Sequence, residues 1–209
     1  MDGSRPVLCY LDGEVLPLSE AKIGILTHAM SYGTGCFEGI RGYYNADQDQ
    51  VYIFRLREHF ERLRNSAKVL LMTLPHSPEE LVEITCDLVR RSDLHTDTYI
   101  RPMAYKASEV IGVRLHDLRE ALYIAVQPFG NYIDIDRGLS ACISSWRRMD
   151  DNMIPPRAKV TGAYVNSAFA KSEAVLNGFD EAIMLDSNGH VSEGSAENLF
   201  MLRGGTVYT

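Results

Sequence analysis

Two periods of apolar and polar residues alternate along the chain, and the switches between them mark its elements. Val7 to Val15 reads as two short strands about an Asp12-Gly13 turn, a dipeptide suited to tight hairpins. A strand is expected at Val51 to Phe54. It is followed by a helix whose Leu56, Phe60, Leu63, Ala67 and Leu70 share one face, with Arg, Glu and Asn on the other. A second helix opens at Ser77-Pro78-Glu79-Glu80, where Ser77 can cap, Pro78 suits the first helical position and Glu80 completes a capping box. Leu81, Ile84 and Leu88 form its buried side.

Thr98 to Tyr105 and Ala121 to Gln127 are rich in β-branched and aromatic residues and read as strands. The Pro, Gly, Asn and Asp of Pro128 to Gly138 then mark a domain boundary. Beyond it come a strand, Leu139 to Trp146, a polar loop with Pro155-Pro156, and a helix from Ala163 to Asn177 that Gly178 stops. Glu181 to Leu185 and a short run ending at Ser192 flank a turn at Asp186-Ser187-Asn188-Gly189. Leu199 to Leu202 and Thr206 to Tyr208 flank another at Gly204-Gly205. The chain stops inside this last strand pattern, and a second domain of that length is small for independent stability, so the sequence reads as the front part of a longer protein.

Composition narrows the function classes. Hydrophobic residues make up 45% of the 209 positions and charged residues 23%, an ordinary globular balance. The 21 basic and 28 acidic residues leave a net charge of −7, which argues against general binding to nucleic acid or to an anionic membrane. Cys9, Cys36, Cys86 and Cys142 are widely spaced with no CxxC pair, so reduced thiols in the cytoplasm are expected rather than a disulfide framework or a metal site.

Three stretches carry candidate chemistry. Of the five lysines, Lys159 alone lies among small or apolar neighbours, Ala158, Val160, Thr161, Gly162 and Ala163. Burial there would disfavour the ammonium form, as an imine-forming amine requires, although most loop lysines point into water. Ser192-Glu193-Gly194-Ser195-Ala196-Glu197-Asn198 places two acids in a turn, suited either to hydration or to facing a cationic cofactor ring. Gly33-Thr34-Gly35 resembles part of a phosphate loop but lacks the Gly-Lys-Ser/Thr that would follow. His28 has no second His or Cys near it and reads as a structural hydrogen-bonder.

Taken in order, Tyr32-Gly33 with Phe37-Glu38-Gly39-Ile40-Arg41, then Arg57-Glu58-His59-Phe60-Glu61-Arg62-Leu63, then Tyr99-Ile100-Arg101-Pro102, then Lys159 and the Ser192 to Phe200 stretch, resemble the branched-chain amino acid aminotransferases. The resemblance implies an α/β (α+β) two-domain fold-type IV architecture like that of D-amino acid aminotransferase, with the C-terminal domain incomplete. It implies a small domain over 1–127, a linker over 128–135 and the first part of a cofactor-binding domain over 136–209. The cofactor implied is pyridoxal 5′-phosphate. Lys159 would hold it covalently and later move a proton. Arg62 would pair with its phosphate, Tyr164 with its phenolic oxygen and Glu193 with its pyridine nitrogen. Tyr32, Phe37, Tyr99 and Tyr132 would line the substrate pocket, and Arg101 would receive the distal carboxylate of glutamate or 2-oxoglutarate. Further phosphate donors of the family, a helix start and a Thr-containing loop, would lie beyond residue 209.

The resemblance further implies transfer of the amino group of leucine, isoleucine or valine to 2-oxoglutarate, by a homodimer or higher homo-oligomer without nucleic-acid or membrane partners. D-Amino acid aminotransferase and aminodeoxychorismate lyase share the cofactor and are the nearest alternatives. A non-catalytic interaction module built on the same scaffold is the alternative of another class.

Overall fold

A computed structural model describes residues 6–130 and 137–209. These divide into two compact units. One comprises residues 6–130 together with Arg157–Gly162, and the other residues 137–156 with Ala163–Thr209. The expected linker, 128–135, lies in large part outside the described residues.

The first unit is a seven-stranded antiparallel sheet backed by two helices. Its strands are β1 (Leu8–Leu11), β2 (Glu14–Pro17), β3 (Gly35–Phe37), β4 (Ile40–Asn45), β5 (Gln50–Ile53), β6 (Thr98–Lys106) and β7 (Glu120–Pro128). They run in the order β2-β1-β7-β6-β4-β5, with β3 also on β6. The β1–β2 hairpin turns at Asp12 (φ 49°) and Gly13 (φ 105°), the two positive-φ positions that a tight turn matched to strand twist demands. Helix α1 (His28–Tyr32) is a single short turn ahead of β3.

Helices α2 (Leu56–Val69) and α3 (Pro78–Ser92) supply the apolar face expected of them. Phe60, Leu63, Ala67, Leu81 and Leu88 are fully buried, as are Ile100, Ala104, Ile124 and Val126 of β6 and β7. The capping box of α3 forms as read: Ser77 Oγ accepts the Glu80 N–H at 3.2 Å, and the Glu80 carboxylate accepts the Ser77 N–H at 2.7 Å. Because side chains alternate across a strand, burying Thr98, Ile100, Pro102 and Ala104 turns Tyr99, Arg101 and Met103 to the opposite face.

β6 organises the site region. β4 pairs with its first half, Ile40 opposite Ile100, and β3 with its second, Phe37 opposite Met103. Glu38 and Gly39 interrupt what would otherwise be one strand, while the Glu38 N–H still donates to Pro102 O at 3.0 Å. This interruption and α1 escaped the periodicity reading, since three- and five-residue elements are too short to display a period.

In the second unit β8 (Ala141–Arg147) and β9 (Glu181–Leu185) are parallel, and β10 (Val191–Gly194) pairs antiparallel with β9. Helix α4 (Tyr164–Leu176) connects β8 to β9, as parallel neighbours require. Its Ala170 and Ala174 pack on Ala182 and Met184, all fully buried. β11 (Met201–Arg203) and β12 (Thr206–Tyr208) form an exposed hairpin around Gly204-Gly205. Among the described residues no helix is long and apolar enough to cross a membrane.

Candidate active site

Lys159 belongs to the first unit, held there by its own backbone. Its carbonyl accepts the Phe37 N–H at 3.0 Å, and its N–H donates to the buried Ser66 Oγ of α2 at 3.2 Å. Ala158 and Val160 on either side are buried, so the alternation turns the Lys159 side chain the other way, where its Nζ lies 5.2 Å from the centre of the Phe37 ring. The next residues lock the segment onto the Gly33-Thr34-Gly35 turn. Thr161 Oγ1 donates to Gly33 O at 2.8 Å and accepts the Gly35 N–H at 3.2 Å, and the Gly162 N–H donates to Gly33 O at 3.1 Å. The turn with the look of a phosphate loop is therefore the seat of the lysine segment. Gly33 must be glycine twice over: its φ is +65°, and a Cβ would stand 2.7 Å from Gly162 Cα.

Phe37 carries two cations on one ring, since the Arg101 guanidinium lies 4.3 Å from the same centre. Arg101 also donates from Nη2 to the Tyr99 hydroxyl at 2.6 Å, while its Nε is buried with no hydrogen-bond partner. Lys159, Phe37, Tyr99 and Arg101 are thus brought together.

Tyr32 stands in a different group. Its hydroxyl accepts the Gly112 N–H at 3.0 Å and its ring packs 4.7 Å from that of His28. His28 is structural, as read: Nε2 meets Gly112 O at 2.7 Å and Nδ1 meets Thr34 Oγ1 at 2.7 Å. Because a carbonyl only accepts, Nε2 is the donor in the bond to Gly112. Tyr132 lies outside the described residues.

Arg62 has a partner that the sequence reading assigned no role. Glu38, with no solvent exposure, accepts Arg62 Nε and Nη2 on its two oxygens at 2.6 Å each and meets His59 Nδ1 at 2.9 Å. Burial by itself would raise the Glu38 carboxyl, but the Arg62 and His59 hydrogen bonds outweigh it and hold it below the ordinary carboxylate range. The fork fixes the plane of a guanidinium that is otherwise more than half exposed. The missed signal was an acid among Cys36, Phe37 and Ile40 with a His and an Arg one helical turn apart downstream.

The second unit holds the other two expected residues. Tyr164 is the first residue of α4. Glu193 on β10 forms an ion pair with Arg148, Nε to Oε1 at 2.5 Å. The two lie on the wall of an open cleft of about 520 Å³, shared with Asp150, Asp151, Asp186 and Ser192. Beside it Glu181 organises the Ser195 turn. Its Oε1 accepts the Ala182 and Ser195 N–H groups at 2.7 and 3.2 Å, and its Oε2 accepts Lys171 Nζ at 2.6 Å. Burial opposes ionisation of Glu181, yet Lys171 and these donors hold its carboxyl far below the usual range. Burial, with Glu181 next to it, raises the Glu197 carboxyl.

Comparison with known proteins gives the family. Residues 35–209 match the model of the family described as amino-transferase class IV. The probable branched-chain-amino-acid aminotransferase of Aquifex aeolicus is 48% identical over 200 residues, covering 96% of this chain and 64% of that protein. The crystal structure of the Thermoproteus uzoniensis branched-chain aminotransferase with norvaline superposes with a TM-score of 0.91 at 42% identity, over 96% of this chain and 67% of its own. The T.th. branched-chain amino acid aminotransferase complexed with N-(5′-phosphopyridoxyl)-L-glutamate gives 0.89 at 44% identity, over 98% and 67%. The chain therefore spans about two thirds of the length of the relatives it matches. With five motif blocks in order and the same fold beneath them, the chain belongs to the class IV aminotransferases, within the likeness of the branched-chain enzymes.

Proposed function

We propose that the protein is a pyridoxal 5′-phosphate-dependent aminotransferase that moves amino groups between branched-chain L-amino acids and 2-oxoglutarate. The observation that carries the reading is the grouping of Lys159, Phe37, Tyr99 and Arg101 on one side of β6. Relatives named as branched-chain aminotransferases support it, as does a solved relative whose ligand joins a pyridoxyl phosphate to glutamate.

The donor set suits the cofactor. A primary amine is offered on a fixed backbone, a guanidinium is held in one plane, and a carboxylate stands on a separate strand. When bound, pyridoxal phosphate supplies an electron-withdrawing ring that stabilises negative charge at the substrate α-carbon. Lys159 would hold the cofactor and would move the proton at the substrate α-carbon. Arg62 receives the phosphate, Glu193 the protonated ring nitrogen and Tyr164 the phenolic oxygen. The ring and hydroxyl of Tyr99, with Phe37, line the side-chain pocket, and Arg101 receives the distal carboxylate of glutamate or 2-oxoglutarate. The working form is a cytoplasmic homodimer.

The test is borohydride reduction of the cofactor-loaded protein with peptide mapping, joined to a screen of L-leucine, D-alanine and aminodeoxychorismate. A reduced adduct on Lys159 and turnover of L-leucine are expected. An adduct on another lysine, or preference for either other substrate, would sink the reading.

A further inference from the structure

Two arginine–glutamate pairs in this chain differ in how they use the carboxylate. Arg62 grips Glu38 with a fork, so both glutamate oxygens are engaged. Arg148 makes no such fork: its Nε lies 2.5 Å from Glu193 Oε1, while its Nη1 donates to Ser167 Oγ of α4 at 2.9 Å. The Arg148 N–H is itself tied to Leu185 O of β9 at 2.8 Å. Its backbone is thus tied to β9 and the far edge of its guanidinium to α4. Its side chain is 16% exposed, whereas that of Glu193 is 31% exposed and faces the cleft. Glu193 is therefore an ion pair with one oxygen engaged and the other open to a further donor.

We propose that Arg148 is the positioning residue for Glu193: it holds the carboxylate in one orientation, so that Oε2 is presented to the protonated ring nitrogen of the cofactor. This rests on the reading in which Glu193 meets that nitrogen. A lone glutamate at the end of a short strand has three rotatable bonds and several orientations, and a monodentate guanidinium partner removes that freedom without consuming the second oxygen.

The pair and its consequence can be read separately. In the chain alone, side-chain arginine NMR should give a solvent-protected Arg148 Nε–H, identified by its loss in Arg148→Lys, and Glu193→Gln should abolish the protection. Protection unchanged in Glu193→Gln would overturn the proposal. In the chain loaded with ring-nitrogen-labelled pyridoxal phosphate, Glu193→Gln should move the ring-nitrogen resonance to its unprotonated position. Arg148→Met should move it part of the way and weaken cofactor binding about tenfold, the worth of one charged hydrogen bond. Arg148→Lys, which keeps the charge, should recover part of both. A shift in Glu193→Gln but none in Arg148→Met would leave the reading of Glu193 standing and remove Arg148 from it. No shift in Glu193→Gln would overturn both. Should Arg148→Met fail to fold, Ser167→Ala loosens the far edge of the guanidinium. It should give a smaller shift in the same direction, and its absence there and in Arg148→Lys would count against positioning.

Discussion

Arg62 clasps Glu38 through two 2.6 Å bonds, yet the two differ sharply in exposure: the glutamate is wholly buried and the arginine side chain is 56% exposed. The cost of breaking the pair should depend on which partner is removed. Arg62→Ala strands a buried carboxylate with only His59 beside it and should cost about 3 kcal/mol. Glu38→Gln releases an arginine that can turn to water and should cost about 1 kcal/mol. Denaturant unfolding of the two variants measures the asymmetry, and equal losses would mean that the pair is held by packing rather than by charge.

Acid should weaken the fold in a defined window. Glu38 and Glu181 both ionise more readily than the ordinary 4.5, so the stability they contribute is complete above that pH and is lost as pH falls, for Glu181 down to about 2. Glu197, raised by burial, acts in the opposite sense: its contribution is complete below 4.5 and is lost as pH climbs through its higher folded value. The denaturation midpoint against pH should fall steeply on the acid side, and Lys171→Met should shift the Glu181 part of that fall toward neutral pH. A flat profile would refute the carboxylate assignments.

Gly33→Ala should loosen the lysine segment. An L side chain at φ +65° costs about 1–2 kcal/mol, and the added methyl would drive Gly162 from its seat. The melting temperature should drop by about 2–8 °C. Gly162→Ala, whose Cβ would meet Gly33 O at 3.3 Å, should be milder. The reverse order would place the constraint elsewhere.

Arg101→Ala should separate the two half-reactions of the proposed activity. The half that binds 2-oxoglutarate should lose roughly 2–5 kcal/mol, the cost of breaking a desolvated charge pair, or about 30-fold to several thousandfold in efficiency. The leucine half should lose far less. Single-turnover absorbance follows each half, and equal losses would make Arg101 a support for Phe37 and Tyr99 rather than a carboxylate receptor.

What could be read in advance was what local physics dictates. The α3 capping box, the α2 stripe and the β6 strand are each decided within a few neighbouring residues, and each formed as expected. The site was legible only through its motifs. Nothing local in Gly33-Thr34-Gly35 announces a seat for residues 157–162, and nothing in the Phe37-Glu38-Gly39 stretch says that its acid will be buried under Arg62. Likewise nothing in the sequence joins Arg148 to Glu193, and only the pairing of β8, β9 and β10 brings them together. Partners so far apart along the chain leave no periodic trace.

The seating of Arg157–Gly162 on the first unit also bears on how the molecule is made. The contacts from Thr161 to Gly33 and Gly35 close loops of 128 and 126 residues, among the longest in the structure. A nascent chain that has emerged only as far as β7 already has every strand of the large sheet and both of its helices, but not the segment that bears Lys159. That segment must find its groove after the intervening chain has been synthesised, and long loops close slowly. The lysine is therefore among the last pieces of its own unit to arrive, so an amine able to react indiscriminately with aldehydes is installed only on a surface already prepared to receive it.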